Sequence, residues 1–123
     1  MDVEAIIAKA LKDALGIPAY LEVPANQPDA FIVVEQTSME TMGDHLGRPI
    51  MANVSLDVDC WCLKNQRKQA AALADSVIKA LSSLETEPIT TTKHENTYRE
   101  NDPDTGRSRY VVQIETTIRM KED

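Results

Sequence analysis

The chain has 123 residues, enough for one domain, and its 42% hydrophobic content beside 27% charged residues is ordinary for a globular protein. With 13 Lys and Arg against 20 Asp and Glu, the net charge is −7, which excludes the basic surface that nucleic-acid phosphates require. The N-terminus lacks the pattern of a signal peptide, and no window approaches the roughly 18 apolar residues of a membrane span. We therefore expect a single domain over residues 1–123, not exported, with cysteines in a reducing cytosol.

The first third of the chain predicts a helix followed by two extended segments. Apolar residues recur at three- and four-residue spacings over 3–15, with Asp2 able to cap the helix start and Gly16 ending it. Residues 19–23 are short and extended. Residues 30–37 are rich in β-branched side chains and apolar on both faces, which favours a covered central strand.

The middle of the chain predicts a loop, a long strand and a second helix. Residues 38–49, SMETMGDHLGRP, hold two of the four glycines and end in proline, which indicates a long flexible loop or arm. Residues 50–62 alternate cleanly between apolar and polar positions, as in a strand with one buried face. A helix is predicted over 66–84 with Asn65 as its cap, and its buried stripe comprises Ala70, Leu73, Ala74, Val77, Ile78 and Leu81.

The last third predicts two strands joined by a hairpin. Residues 89–100 are polar but rich in threonine, residues 100–107 contain the turn cluster NDPDTG, and residues 108–120 alternate again. The predicted fold is α+β, a mostly antiparallel sheet of four to five strands with two amphipathic helices on one face.

The predicted strands are long for a domain of this size. Thirteen residues at about 3.3 Å each span about 43 Å, whereas the compact domain has a diameter of about 35 Å. One end of the sheet, with the 38–49 loop or the 100–107 hairpin, is therefore expected to project as an arm towards a partner.

The segment SLDVDCWC could be a reactive or metal site. Alternation places Cys60 and Cys62 on the face with Val54, Leu56 and Val58, where a reduced cysteine is a small buried hydrophobe. A structural zinc site needs about two more ligands at close spacing, and the histidines stand alone in the sequence. We expect structural cysteines, no metal and no cofactor.

Asp57, Asp59 and Trp61 alternate onto the opposite face. Two solvated acids on a polar strand face are more common than a catalytic pair. Trp61 is expected either to pack under a loop or to lie in an interface. No nucleotide-binding, hydrolase or metalloprotease motif is present, so an enzyme is not expected. The segment GDHLGR, residues 43–48, could bind an anion, but it is better interpreted as a mobile loop.

Three segments together resemble one known family. These are VPANQPDAFIVVEQ, the central ANVSLDVDCWCLKNQRKQAAALADSVIKAL and the closing DPDTGRSRYVVQIET. The strand ending in Val58, Asp59, Cys60 and Trp61 and the alanine-rich helix over 70–81 resemble the tail-completion or tail-terminator proteins of long-tailed bacteriophages and prophages.

The resemblance implies a structural virion component that forms a homo-oligomeric ring, a hexamer, and caps the tail tube where tail and head join. It implies contacts with the tail-tube protein and a head-completion protein, and DNA passing through the channel without specific binding. It implies a location in the host cytoplasm during assembly and then in the virion tail or head–tail joint. Another connector or minor tail role stays open.

Two further interpretations stay open, one from another functional class and one within structural proteins. One is a small cytosolic ligand-binding or enzymatic α+β domain that uses Asp57, Asp59, His45 or His94, and the other is an oligomeric adaptor unrelated to phages. For the ring, we expect interface residues in the 38–49 segment and at the end of the long strand, because methionine adapts to partners and aromatic residues concentrate binding energy. These interface residues are Met39, Met42, His45, Leu46, Arg48 and Trp61.

Overall fold

The computed structural model describes residues 2–43 and 46–120. That part of the chain forms two helices and a five-stranded sheet. In chain order the elements are α1 (Val3–Leu15), β1 (Ala19–Tyr20), β2 (Phe31–Gly43), β3 (Pro49–Lys64), α2 (Arg67–Ser82), β4 (Ile89–Arg99) and β5 (Arg107–Arg119).

Helix α1 begins and ends where the sequence predicts. The Asp2 side chain accepts a hydrogen bond from the Ala5 backbone N–H at 3.1 Å, which caps the first turn. Gly16 ends the helix with φ of 67°, a left-handed conformation that costs glycine no Cβ clash, and its N–H donates to the Lys12 carbonyl. The buried face consists of Val3, Ile7, Ala8 and Leu11.

Helix α2 is shorter than predicted, and its predicted cap is wrong. Asn65 has φ of 64° and lies in the turn after β3, while Gln66 occupies the capping position without a side-chain hydrogen bond. Asparagine tolerates this left-handed conformation, so Asn65 serves the turn instead of the helix. Neither described helix is long and apolar enough to cross a membrane.

The sheet has the strand order β1-β2-β3-β5-β4. Strand β1 pairs with β2 in parallel at only two positions, and the other neighbouring pairs are antiparallel. The predicted α+β class with a mostly antiparallel sheet is confirmed. The chain forms two hairpins, β2–β3 and β4–β5, that meet along β3 and β5.

Both helices pack on the same face of the sheet, as predicted. They bury the even-numbered side chains of β3 from Ala52 to Cys60 together with their cross-strand neighbours. The opposite face, which we call the helix-free face, carries the odd-numbered side chains of β3: Met51, Asn53, Ser55, Asp57, Asp59 and Trp61.

The loop predicted over residues 38–49 is wrong for its first half. Strand β2 continues to Gly43, where Met39 pairs with Val54 and Met42 pairs with Met51. A bulge between Gln36 and Ser38 inserts an extra residue and so exchanges the faces of all later side chains. The alternation is lost at the bulge, which is why the sequence pattern does not indicate a strand there.

Strand β2 is also not the covered central strand that its first residues indicate. Only Phe31–Val34 are buried, and residues 35–43 are all exposed. Strands β3 and β5 pair from Met51 with Arg119 to Lys64 with Arg107, so they extend together along nearly their whole length. The predicted 100–107 hairpin is confirmed, and the Asp102 side chain accepts hydrogen bonds from within that turn.

Candidate interaction surface

Large apolar side chains are exposed around the end of the β2–β3 hairpin. Met39 is 44% exposed, Met42 39% and Leu46 66%, and Ile50 is exposed as well. We call Met39, Met42, Leu46 and Ile50 the hairpin surface. Exposed methionines on the polar half of an edge strand suit a contact with a partner.

The two methionines of the hairpin surface lie on opposite faces of the sheet. Met39 pairs with Val54, whose side chain faces the helices, while Met42 pairs with Met51 on the helix-free face. This arrangement follows from strand geometry, because Met39 and Met42 are three residues apart on a regular stretch of β2, where successive side chains alternate between the faces. A partner that covers both must therefore reach around the strand edge.

The turn and Trp61 complete the set of predicted interface residues. Leu46 and Arg48 are exposed at the hairpin turn, whereas His45 lies outside the described residues. Trp61 is ten residues beyond Met51 on the same strand, a separation of about 33 Å. The structure thus brings four of the six predicted residues into one hairpin and places Trp61 at the far end of β3. The four are Met39, Met42, Leu46 and Arg48.

Trp61 packs within its own subunit. Its ring stacks on Phe31 with centroids 5.7 Å apart, and the guanidinium of Arg109 lies 4.7 Å from the Trp61 ring centroid. Together with Val33 and the half-buried Tyr20, these rings form a second, smaller apolar cluster. Trp61 is only 6% exposed, so a partner cannot reach its side chain in the folded subunit. Of the two predicted environments, packing within the subunit or an interface, the structure shows packing within the subunit.

Arg107, which the sequence does not single out, holds the segment between β1 and β2 against the sheet. Its guanidinium donates to the backbone carbonyls of Pro28 at 2.6 Å, Asp29 at 2.8 Å and Cys62 at 3.2 Å. It also lies 5.1 Å from the Phe31 ring centroid. These charge-assisted bonds fix a segment that has no regular secondary structure. Its partners are backbone atoms from distant positions, which leave no signal in the sequence.

Asp59 is half-buried instead of solvated as predicted. Burial raises the pKa of the Asp59 carboxyl to about 6, with Arg109 opposing the rise and Asp57 adding to it. Arg109 lies 3.5 Å from the Asp59 carboxylate and 3.0 Å from that of Glu100. The strand alternation placed Asp59 on the correct face, but only the register with β5 shows which arginine lies beside it.

The cysteines are core residues, as predicted. Cys60 and Cys62 are free thiols, and both are buried. Burial raises the pKa of both thiols, so neither has the thiolate character of a reactive cysteine. Among residues 2–43 and 46–120, no three His, Cys, Asp or Glu side chains are grouped so that they could hold a metal ion.

Of the groups that the ligand-binding alternative uses, His94 lies on the opposite face of the sheet from Asp57 and Asp59, and His45 lies outside the described residues. His94 pairs with Ile114, on the side of the helices, and its Nε2 lies 2.7 Å from the Thr97 hydroxyl. Asp57 and Asp59 are on the helix-free face. His94 and the aspartates therefore share no pocket in the described part of the chain.

Known proteins match this chain both in sequence, through one family model, and in fold. The model of the family described as "Tail completion protein gp17" matches residues 5–119. The fold is also similar to a chain in the solved structure "Virion of native gene transfer agent (GTA) particle", with a TM-score of 0.69 and 13% sequence identity. That similarity covers 96% of this chain and 95% of the other. No curated protein sequence matches.

Proposed function

We propose that this chain, which belongs to the tail completion protein gp17 family, caps the tail tube and joins tail to head as a hexameric ring. Membership in that family makes it a structural component of a phage tail and confirms the resemblance found in the sequence. The hexameric ring, the capping of the tail tube and the joining of tail to head are what we propose beyond family membership. The family is one of structural proteins, and we propose no enzymatic activity.

The hairpin surface is the observation that carries this proposal. Four large apolar side chains stand exposed at one end of a polar sheet, on a strand that the subunit buries only at its start. A subunit that must contact a neighbour or a tube end needs such an adaptable surface. We propose the tail-tube protein and a head-completion protein as further partners, with assembly in the host cytoplasm and DNA passing through the ring unbound.

Native mass spectrometry of the purified chain, alone and with tail tubes, tests the proposal. Because a head-to-tail contact between identical subunits closes at one number, we expect one discrete size and not a ladder. Replacing Met39 and Met42 together by Ser should preserve the circular dichroism of the subunit and weaken assembly or tube capping. The matched control replaces Leu21 and Val23 by Ser, since these are also exposed apolar residues but lie away from the hairpin.

Monomers alone, with and without tail tubes, would contradict the ring. Equal loss of assembly in both double variants would contradict the role of the hairpin surface. A ring that binds heads but not tail tubes would identify a connector instead of a tail cap.

A further inference from the structure

The outer edge of β2 is unpaired over most of its length. Strand β1 covers β2 only at Ile32 and Val33. At Gln36 the backbone N–H donates to the Glu4 carboxylate at 2.7 Å, so α1 covers that position. From Ser38 to the end of β2, no strand of the described chain lies on the outer side.

The backbone groups that point outward from this edge follow from the register. Ile32 donates its N–H outward to the Pro18 carbonyl, and outward positions alternate along the strand. The bulge at Thr37 shifts the alternation by one residue. Beyond it, Met39 and Thr41 direct their N–H and carbonyl groups away from β3, which leaves a template for another strand.

The opposite edge of the same sheet, β4, is also unpaired on its outer side. Strand β4 has β5 as its only strand neighbour in the described chain. Met120 donates to the Ile50 carbonyl, so the odd-numbered β5 residues Thr117 and Glu115 point towards β4. Their partners Thr91 and Lys93 point inward, and Thr92 therefore points outward.

We propose that the outer edge of β4 in a second copy of this chain pairs with the outer edge of β2 and so continues the sheet from subunit to subunit. Because β2 and β4 run in opposite directions within one sheet, two copies in the same orientation bring these edges together antiparallel. The inference rests on the proposed homo-oligomer and names the contact that builds it. Two different edges meet, so the contact is heterologous and can close into a ring.

If the two copies are not shifted relative to each other along the strand direction, the pairing within one sheet gives the register of the contact. Lys93 pairs with Glu115, Glu115 with Ser55 and Ser55 with Ser38, so Lys93 and Ser38 mark the same height on opposite edges. Across the contact these two become directly opposite neighbours. Both point inward within their own subunits, so they form a pair without hydrogen bonds, whose Cα atoms lie about 4.5 Å apart.

Charge favours this pairing. Strand β2 carries Glu35 and Glu40 and no basic residue, while β4 carries Lys93 and Arg99 against a single acid, Glu95. Glu35 and Glu40 face the same side of the sheet as Lys93, through their pairing with β3, and they flank Ser38. Each lies within diagonal reach of a long side chain on the opposite strand.

A disulfide between copies tests the contact directly. When Ser38→Cys and Lys93→Cys single variants are mixed and oxidised, we expect a cross-linked dimer that neither variant forms alone at the same yield, because a pair without hydrogen bonds suits disulfide geometry. The native thiols are buried in both chains and do not compete. The matched control mixes Ser38→Cys with Lys79→Cys, a position exposed on α2, and should give no cross-link.

A backbone substitution provides the second measurement. Thr41→Pro removes an outward N–H and leaves the β2–β3 ladder intact, so it should weaken ring assembly at least about tenfold while the subunit stays folded. If this variant loses its circular dichroism, the cross-link decides alone. If rings form but the cross-link does not, edge pairing is wrong and the proposed ring is still supported. If Ser38→Cys cross-links to the tail-tube protein and not to a second copy, the second copy is not the partner of this edge. If no ring forms at all, both the ring and the edge pairing are wrong.

Discussion

Trp61 combines extensive ring contacts with an unmet polar group. It stacks on Phe31 and lies beside Arg109, yet its buried indole N–H has no hydrogen-bond partner among the described residues. We expect Trp61→Ala to lower the free energy of unfolding by about 3–5 kcal/mol. Trp61→Phe should cost less than about 1.5 kcal/mol, because it keeps a ring and removes the unpaired donor. Urea denaturation of the isolated subunit measures both.

Tyr98→Ala is the control for this pair, since Tyr98 is exposed on β4 and should change stability by less than about 0.5 kcal/mol. If the Trp61→Ala subunit is as stable as the native one but no longer assembles, Trp61 acts in the interface between subunits. That result would contradict the packing role that its burial indicates.

Asp59 should make stability depend on pH. Its folded-state pKa of about 6 lies above the ordinary aspartate value of 3.8, so between these values the folded state binds more protons than the unfolded state. Stability contributed by this group is present below about pH 4 and falls as the pH rises to 6. Asp59→Asn should therefore gain stability over the native chain through that window, on the order of 2–3 kcal/mol at pH 7.

Denaturant titrations at pH 4 and pH 7 measure the difference between the two proteins. Asp75→Asn, on the exposed side of α2, is the control and should show no such divergence. A constant difference between Asp59→Asn and the native chain across this pH range would show that the carboxyl is not destabilised by burial.

At the scale of single elements, the two sides of β2 should exchange amide hydrogens at different rates. In the isolated subunit, the outward N–H groups of Met39 and Thr41 should exchange quickly, while those of Glu40 and Met42, directed at β3, should be protected. Residue-resolved exchange by NMR tests the pattern. Uniform protection along Met39–Met42 would mean that another part of the subunit covers the edge.

The elements that the sequence predicted well are those with local signals. Helix α1 has a capping aspartate, a periodic apolar face and a terminal glycine, and both of its ends were correct. Strand β5 alternates throughout and was displaced by only one residue. The predicted length of β2 is too short, because a bulge interrupts the alternation of the strand and because its exposed half needs no apolar face. Local patterns carry no information on such register changes.

The candidate site was predicted less completely than the fold. The spacing of Met39 and Met42 gives them no core position, and both are exposed in the structure, while their role in an interface stays a prediction. Trp61 lies on the predicted face, but the sequence does not indicate that Phe31 and Arg109 cover it there. Nor does it indicate that Arg107 holds the segment before β2 through backbone carbonyls. Contacts to backbone atoms far away in the sequence depend on the folded path of the chain, and a pattern of residue types does not encode them.

At the scale of the whole molecule, the charge of −7 predicts that double-stranded DNA does not bind. Without a basic surface there is no release of counterions to drive association. Fluorescence anisotropy of a labelled duplex at physiological salt should therefore remain unchanged up to about 100 μM protein, the weak limit of ordinary non-specific binding. Saturable binding below that concentration would contradict a channel through which DNA passes freely.

The folding rate of the chain should depend on the step in which its two hairpins pair along β3 and β5. Each hairpin closes between neighbouring segments, whereas the β3–β5 seam joins residues as far apart as Met51 and Arg119. Closing that seam carries the larger loop entropy, so we expect it to set the folding rate. Truncating Val58 or Val112, which face each other across the seam, should slow folding, whereas changes at the tip of the β2–β3 hairpin should mainly speed unfolding.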